Sequence, residues 1–597
     1  MEVYYQLVKD ESSLLQTSRL FSSDEYIGLD TETTDLDPYK GKLRLIQLSN
    51  GRETRIIDLN YFDENAVFND LRSNEKLAPL RDLISASKPV KVVHNAKFDA
   101  KWIYHCLGAE TGSVFDTYLA SQLLWFGDQD RRHGLAEVAL QFLNISIDKT
   151  QQTSAWDAPE LTDAQLKYAA RDAIVVWQLY EKVKKSLEEK NLMKVAQIEF
   201  DCVMPIVAME LNGFYLDSLV WRNRLEELEK RRQDFLKELK VEQTQTSFFE
   251  TFTRHANLDS PEGISTFLIE NGVPVSSDAE IGLPELQLLA GDYPIAGKVF
   301  EYLRMSDTIS DLGEEFLKAI KEVTNRIHPD FRQITNPFAR IGCRGLKLHK
   351  LAFDKHYDYR LSAPNGKSLI ILDCPLIETI IMAYLSGEEK LVEALKFDFY
   401  EGIASEIFGN SDEELMLVAK LLHQAVSYGV GASYFAKING ISRQEAEDLM
   451  GLYFQTFPRL HSWLRKISEI AEVKREARSA FGRIYQFRFD ERVDPQKLMA
   501  IRLAKVFAVQ ATLSDILKIT LTNLYYGLKK SSAKLVNFIR DQIWIECDQA
   551  DEKEISTKAQ EIMQNILKNK LVGVTTNSLI RTRTFRRPAE ILKQIRD

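Results

Sequence analysis

Cysteine is scarce and scattered. The five in 597 residues (Cys106, Cys202, Cys343, Cys374, Cys547) include no C-x-x-C pair, which argues against structural zinc and fits a reducing compartment. No apolar run is long enough to span a bilayer, and the polar N-terminus lacks signal-peptide architecture. A soluble cytoplasmic protein without membrane contact is expected. Positive charge is not in excess either: the formal net charge is −10, so any surface for a polyanion must be local. Neither a low-complexity tract nor an internal repeat is present, and the length exceeds what one core serves, so several domains are expected.

What the sequence does contain starts at Tyr26-Ile27-Gly28-Leu29-Asp30-Thr31-Glu32-Thr33-Thr34. The first half reads as a buried strand, and Asp30 and Glu32, two apart on extended backbone, share a face. They form a pair of hard oxygen ligands aimed at one point, as two divalent cations bridging a phosphate would require. Lys42 to Ser49 reads as a second strand paired with the first, after a turn between Pro38 and Gly41. Lys91 to Asp99 reads as a strand running into a helix and offers Asp99 as a third carboxylate. His94 and Asn95 read as strand-end packing and hydrogen-bonding residues. Asp116 opens an apolar-periodic helix from Tyr118 to Phe126, where it fits an N-cap as well as a catalytic part. Tyr168 and Asp172, at i and i+4 on a further helix, stand on one face a turn apart. Phosphodiester hydrolysis by two metal ions needs carboxylates to hold the cations and a polar group to orient water. Asp30, Glu32, Asp99 and Asp172 are the candidate ligands, with Tyr168 positioning the water.

On those residues the first 190 or so closely resemble the DEDDy type of 3′–5′ exonuclease. His133-Gly134-Leu135-Ala136, the stretch Asp148-Lys149-Thr150 to Trp156, and Tyr168 to Asp172 resemble its ribonuclease D branch. In that family the position of Asp116 is not usually a ligand, which supports the cap.

From about Leu192 the pattern turns helical. Phe200 to Phe214 reads as one apolar helix stopped at Asn212-Gly213, and Trp221 to Val241 as a charged helix with leucines at helical spacing and a solvated face. Further on, Lys367 to Asp373 reads as a buried strand, with Pro375 starting a helix to Leu385. Glu413 to Tyr428 reads as a helix with Met416, Lys420, Gln424 and Tyr428 along one face, and Leu415, Val418, Leu422 and Val426 on the buried side. Lys420 there suits a triphosphate contact or plain solvation. Leu535 to Glu546 reads as two apolar strands around a polar turn centred on Asp541.

These stretches resemble motifs A, B and C of family A DNA polymerases, and the segments Asn257 to Pro261 and Ser276 to Glu280 resemble their thumb. The resemblance implies a multidomain α/β and α+β chain, a ribonuclease H-like exonuclease domain followed by a right-hand polymerase, Klenow-like without a 5′-nuclease domain. The implied divisions are an exonuclease domain over 1–190, a thumb-like region over 191–330, palm over 331–400, fingers over 401–500, and palm with the C-terminal segment over 501–597. By resemblance Asp373 and Asp541 bind metal, Glu378 screens against a ribose 2′-hydroxyl, and Lys420, Gln424 and Tyr428 line the nucleotide. Arg340, Arg502, Gln510, Lys474, Arg478 and Arg483 would contact DNA, the last three in a duplex-binding segment supplying local positive charge. Departures are concentrated here: Cys374-Pro375-Leu376 in motif A, Met416 for an arginine and Gln424 for a phenylalanine in motif B, Tyr400 for a histidine, Arg540-Asp541-Gln542 in motif C. Losing one charge-assisted phosphate contact costs ~1.5–3 kcal/mol. Arg581, Arg583, Arg586 and Arg587 read as DNA-touching or solvated, and no role is assigned to them.

The expected activity is primer extension on a DNA template with proofreading 3′–5′ exonuclease, using two Mg²⁺ or Mn²⁺ per site. Its expected partners are primer–template DNA, single-stranded 3′ ends and dNTPs, with the protein a monomer. The alternative is an exonuclease whose degenerate polymerase-like part serves as a DNA-binding platform.

Overall fold

The computed structural model describes residues 3–62, 70–148, 150–151, 154–238, 258, 260–276, 281–351, 361–490, 493–571 and 579–586. Six strands make the first sheet: β1 (Gln6–Val8), β2 (Tyr26–Thr33), β3 (Leu43–Ser49), β4 (Thr54–Asp58), β5 (Val90–Val93) and β6 (Val114–Asp116). Their order is β1-β4-β3-β2-β5-β6. β3 runs antiparallel to β2 and places Asp30 opposite Gln47, while β5 runs parallel on its other side. Helix Asp163–Glu189 starts at a Thr162/Gln165 capping box and crosses this sheet at Gly28, where an added Cβ would lie 2.1 Å from the Ala173 carbonyl oxygen. Gly28 has the side-chain parity of Asp30 and Glu32, so this close approach sets the helix over their face.

The single helix expected from Phe200 to Phe214 is two, Met193–Asp201 and Val203–Asn212. Pro205 explains the break: it has no N–H for the Asp201 carbonyl and its ring would clash there. Helices Ser218–Glu238, Pro261–Glu270, Leu283–Leu289 and Pro294–Leu312 form a separate unit around Leu236, Leu268, Leu286 and Tyr302. The expected end of the first of these at Val241, and parts of the thumb-like segments at Asn257, Asp259 and 277–280, lie outside the described residues, as do Lys149 and Arg587.

A second sheet carries the later motifs. Its order is Lys534–Ile539, Gln542–Asp548, Lys367–Asp373, Arg581–Phe585, all antiparallel. The helix after Asp373 begins at Ile377, because Cys374 to Ile377 first closes a turn (Ile377 N–H to Cys374 O, 3.0 Å). Helix Glu413–Ser427 packs through Ala419, Leu422, His423 and Val426, with Leu415 and Val418 only half-buried. A 35-residue helix, Asp494–Leu528, runs behind this sheet. One continuous apolar core joins both sheets, from Leu29 through Val203 and Phe331 to Ile371 and Trp544. Among the described residues no helix is long and apolar enough to cross a membrane.

Candidate active sites

In the first sheet, the end of β2 and two helices converge on a cleft of about 810 Å³ lined by Asp30, Glu32, Asp99, Tyr168 and Asp172. β2 supplies the first two, the first turn of Ala96–Leu107 supplies Asp99, and Asp163–Glu189 supplies the last two. The Thr31 hydroxyl donates to Asp99 Oδ1 at 2.7 Å and fixes that carboxylate. Burial, and then the charges of Asp99, Glu32 and Asp172, push Asp30 well above the usual carboxylate range. Glu32 is raised by burial, Asp172 and Asp99, and Asp99 is pushed up to about 7 mainly by burial. Such mutual repulsion in a low-dielectric cleft is what cations relieve. Arg171 Nε lies 3.8 Å from Asp172, and its guanidinium stacks over Tyr168. Tyr168 is raised by burial and by the same carboxylates, so it stays a phenol. Asp116 also borders the cleft, but its oxygens accept N–H bonds from Asn95, Ala96, Tyr118 and Leu119 at 2.8–3.2 Å. It therefore caps a helix, and both of its oxygens are engaged. His94 bonds Thr117, and Asn95 takes the left-handed position before its helix.

The second site lies at the end of the central strand. Asp373 Oδ2 accepts from Arg583 Nη2 at 3.1 Å, while Oδ1 is buried with no hydrogen-bond partner. Asp541 sits in the two-residue turn between paired Ile539 and Gln542, where Arg540 takes φ +59°. Burial raises both aspartates. Arg583 and Arg581 pull Asp373 back, and Arg340 pulls Asp541 back. Arg340 Nη2 donates to Glu378 Oε1 at 3.3 Å and to Gln510 Oε1, and the Tyr428 hydroxyl donates to Glu378 Oε2 at 3.2 Å. Four residues expected to act in this site thus form one bonded chain beside Asp541.

Others lie further out. Lys420 and Gln424 are exposed on their helix, with the Lys420 ammonium 5.5 Å from the Tyr400 ring centre. Arg502 is exposed against Gly429, and Lys474 is exposed at a helix end. Arg478 is exposed and paired with Glu476 at 2.9 Å.

A 3′–5′ exonuclease family model matches residues 5–188, and a DNA polymerase family A model matches residues 225–578. The chain belongs to DNA polymerase family A. It carries a 3′–5′ exonuclease domain ahead of the polymerase domain. Curated relatives include DNA polymerase I of Aquifex aeolicus, 27% identical over 97% of this chain and 99% of that protein. DNA polymerase I of Pseudomonas aeruginosa is 24% identical over 91% of this chain and 62% of its own length. That of Synechocystis is 26% identical, and the chain spans 58% of it. Among solved structures, the POL domain of Pol1 from M. smegmatis in complex with DNA primer–template and dNTP matches with a TM-score of 0.80 at 18% identity, covering 97% and 98% of the two chains. The matches favour a polymerase with an exonuclease over a degenerate platform.

One expected contact of this family A polymerase is corrected. Arg483 is fully buried, not on a DNA-facing surface: its Nη2 pairs with Glu199 at 2.6 Å and its Nε with Asp515 at 3.1 Å. Lys518, equally buried, pairs with Glu199 at 2.6 Å and donates to the Ala339 carbonyl at 2.8 Å. Ala339, at φ +54°, immediately precedes Arg340. The charge at 483 therefore helps hold the turn that aims Arg340.

Sequence reasoning missed one further group. Asp330 to Arg332 and Gly342–Arg344 pair as a hairpin, and Arg332 and Arg344 line the exonuclease cleft from far along the chain. Lys97 anchors this hairpin, bonding Glu210, Asp330 and the Phe331 carbonyl at 2.6 Å each. Arg581 and Arg583, read in the sequence as DNA-touching or solvated, lie on a strand beside Asp373, of which the alternation in Arg-Thr-Arg-Thr-Phe was the available signal.

Proposed function

We propose that this family A polymerase extends a DNA primer at Asp373 and Asp541 and trims single-stranded 3′ ends at Asp30, Glu32, Asp99 and Asp172. The observation that carries the reading is two separate acidic sites in one chain, each set at strand and helix ends where a phosphate can approach.

Enzymes of this family are metal-dependent. Among the described residues no three His, Cys, Asp or Glu side chains make a ready-made metal cage. That suits Mg²⁺ or Mn²⁺, which are held by one or two carboxylates together with water and substrate phosphate. The donors fit: Asp30, Glu32 and Asp99, all raised by burial, meet Asp172 in the first site, and the second has a buried Asp373 Oδ1 with no hydrogen-bond partner. Two ions bound per site would supply positive charge that acidifies the attacking hydroxyl or water and steadies the displaced oxygen.

The residues of the chain do the rest. In the exonuclease cleft, Tyr168 keeps its proton and orients the attacking water by hydrogen bonding. Thr31 holds Asp99 in place. In the palm, Glu378, held from both sides by Arg340 and Tyr428, stands as the wall against a ribose 2′-hydroxyl. Lys420, Gln424 and Tyr428 face the triphosphate and sugar, and Arg340, Gln510, Arg502, Lys474 and Arg478 hold primer–template backbone and bases. The M. smegmatis neighbour, which holds primer–template and dNTP, supports these partners.

The test uses a labelled primer on a longer template with Mg²⁺ or Mn²⁺ in an Asp30→Ala background, with and without dNTPs. Extension should require dNTPs and vanish with Asp373→Ala, while Asp30→Ala alone should slow trimming by about a thousandfold or more. Extension that survives Asp373→Ala would refute the palm assignment.

A further inference from the structure

Strand β3 is buried along its whole length, yet it carries an amide, Gln47. Gln47 is fully buried, and neither its Nε2 nor its Oε1 has a hydrogen-bond partner. Among the described residues no other side chain has two buried polar atoms in that state. Buried polar groups are nearly always paired, and an apolar residue of the same shape would serve the strand better. The surroundings show where a partner could come from. Across β4 the residue opposite Gln47 is Ile56, and Leu45 and Ser49 flank it on its own strand face. Leu45 and Ile56 pack with Leu166, Ala169 and Ala170 of helix Asp163–Glu189. The Ser49 hydroxyl is engaged by Thr54 at 3.0 Å and by the Gly51 N–H at 3.2 Å. On the β2 side the residue opposite Gln47 is Asp30. Opposed residues share a face, with their Cβ atoms roughly 5 Å apart. With two apolar neighbours and an engaged hydroxyl, the remaining group beside the amide is the Asp30 carboxylate.

Asp30 stands where a donor is useful. Glu32, Asp99 and Asp172 surround it, and their charges act with burial against its own. A carboxylate that holds a cation is steadied by hydrogen bonds from groups behind it. Asp99 has such a donor in the Thr31 hydroxyl, and Gln47 stands next to Asp30 in the same relation. We propose that Gln47 is a positioning residue of the exonuclease cleft: its amide N–H groups donate to Asp30 when a cation is held there, and keep that carboxylate in place. The terminal torsion of a glutamine amide is broad, so the amide turns to its acceptor without moving the strand. An amide that adds nothing to the interior of β3 thereby serves the cleft.

This inference rests on the reading of the cleft as a cation site, and a control separates the two. Mn²⁺ binding to the full chain, without DNA or nucleotide, is followed by electron paramagnetic resonance in an Asp373→Ala background. The stability of the same proteins is measured by urea unfolding in cation-free buffer. Gln47→Met removes both polar atoms at nearly constant volume. It should weaken the Mn²⁺ binding that depends on Asp30 by about ten- to a hundredfold. Its unfolding midpoint should equal the parent's or exceed it, because a buried amide without a partner does not stabilise the free chain. Unchanged Mn²⁺ affinity in Gln47→Met would overturn the inference and leave the amide a packing residue. A clear drop in the unfolding midpoint would overturn it too, since the amide would then serve the fold. If Asp30→Ala left Mn²⁺ binding as it was, the cation reading of the cleft would fall first and the inference with it.

Discussion

Around Asp30, four carboxylates and a phenol meet in one cleft, with the Arg171 guanidinium 3.8 Å from Asp172 and Arg332 and Arg344 on the cleft wall, whereas Asp373 is bonded to Arg583 and Asp541 faces Arg340. In the exonuclease-domain cleft, burial and neighbouring carboxylates together raise Asp30 and Glu32. At the palm site burial also raises both aspartates, but Arg583 and Arg581 pull against it at Asp373 and Arg340 does so at Asp541. The two acidic clusters thus sit in different electrostatic surroundings within one chain. The family model and the curated relatives make both regions parts of one enzyme, so the contrast concerns how each site is loaded.

The contrast can be pushed hardest where neutralisation is complete. Arg483 sits with Glu199, Asp515 and Lys518 at no solvent exposure. Arg483→Ala leaves Asp515 and Glu199 short of a counter-ion and should cost about 3–5 kcal/mol in urea unfolding. A loss below about 1 kcal/mol would place Arg483 outside the balanced network and reopen a role at the surface.

A smaller effect separates the halves by pH. Asp99 titrates near 7 when folded against about 4 when unfolded, so its contribution is present below pH 4 and is lost as pH rises toward 7. His423 in the fingers is buried beside Thr379, Tyr453 and Phe399 and is pushed down to about 3. Its contribution is present above about pH 6.5 and is lost as pH falls toward 3. In cation-free buffer, Asp99→Asn should flatten the stability loss between pH 4 and 7, and His423→Phe the loss on acidification. Each change is on the order of 2–4 kcal/mol. Identical pH profiles for parent and both variants would refute the asymmetry.

The meeting of these residues in one cleft was legible in sequence because each rides on a local pattern: strand parity for Asp30 and Glu32, a strand-to-helix junction for Asp99, one helical turn between Tyr168 and Asp172. Asp373 and Asp541 were legible for the same reason, at the end of an apolar run and in the turn between two. Arg483 misled because a charge is ordinarily exposed, and its partners lie 284 and 32 positions away. The hairpin carrying Arg332 and Arg344 reaches the exonuclease cleft through tertiary packing, which leaves no local mark. Helix Asp494–Leu528 was invisible to periodicity because Val506 through Lys518 are buried on every side. Arg583 gained meaning only once strand pairing set it beside Asp373.

The measurement that bears most directly on the contrast is a calorimetric Mn²⁺ titration of the full chain, without DNA or nucleotide, in the parent, Asp30→Ala and Asp373→Ala. The tighter binding step should disappear with Asp30→Ala and persist with Asp373→Ala, because Asp30 and Glu32 are raised by burial and by their carboxylate neighbours, whereas Asp373 is already paired with Arg583. Loss of the tighter step with Asp373→Ala, and its survival with Asp30→Ala, would contradict the account.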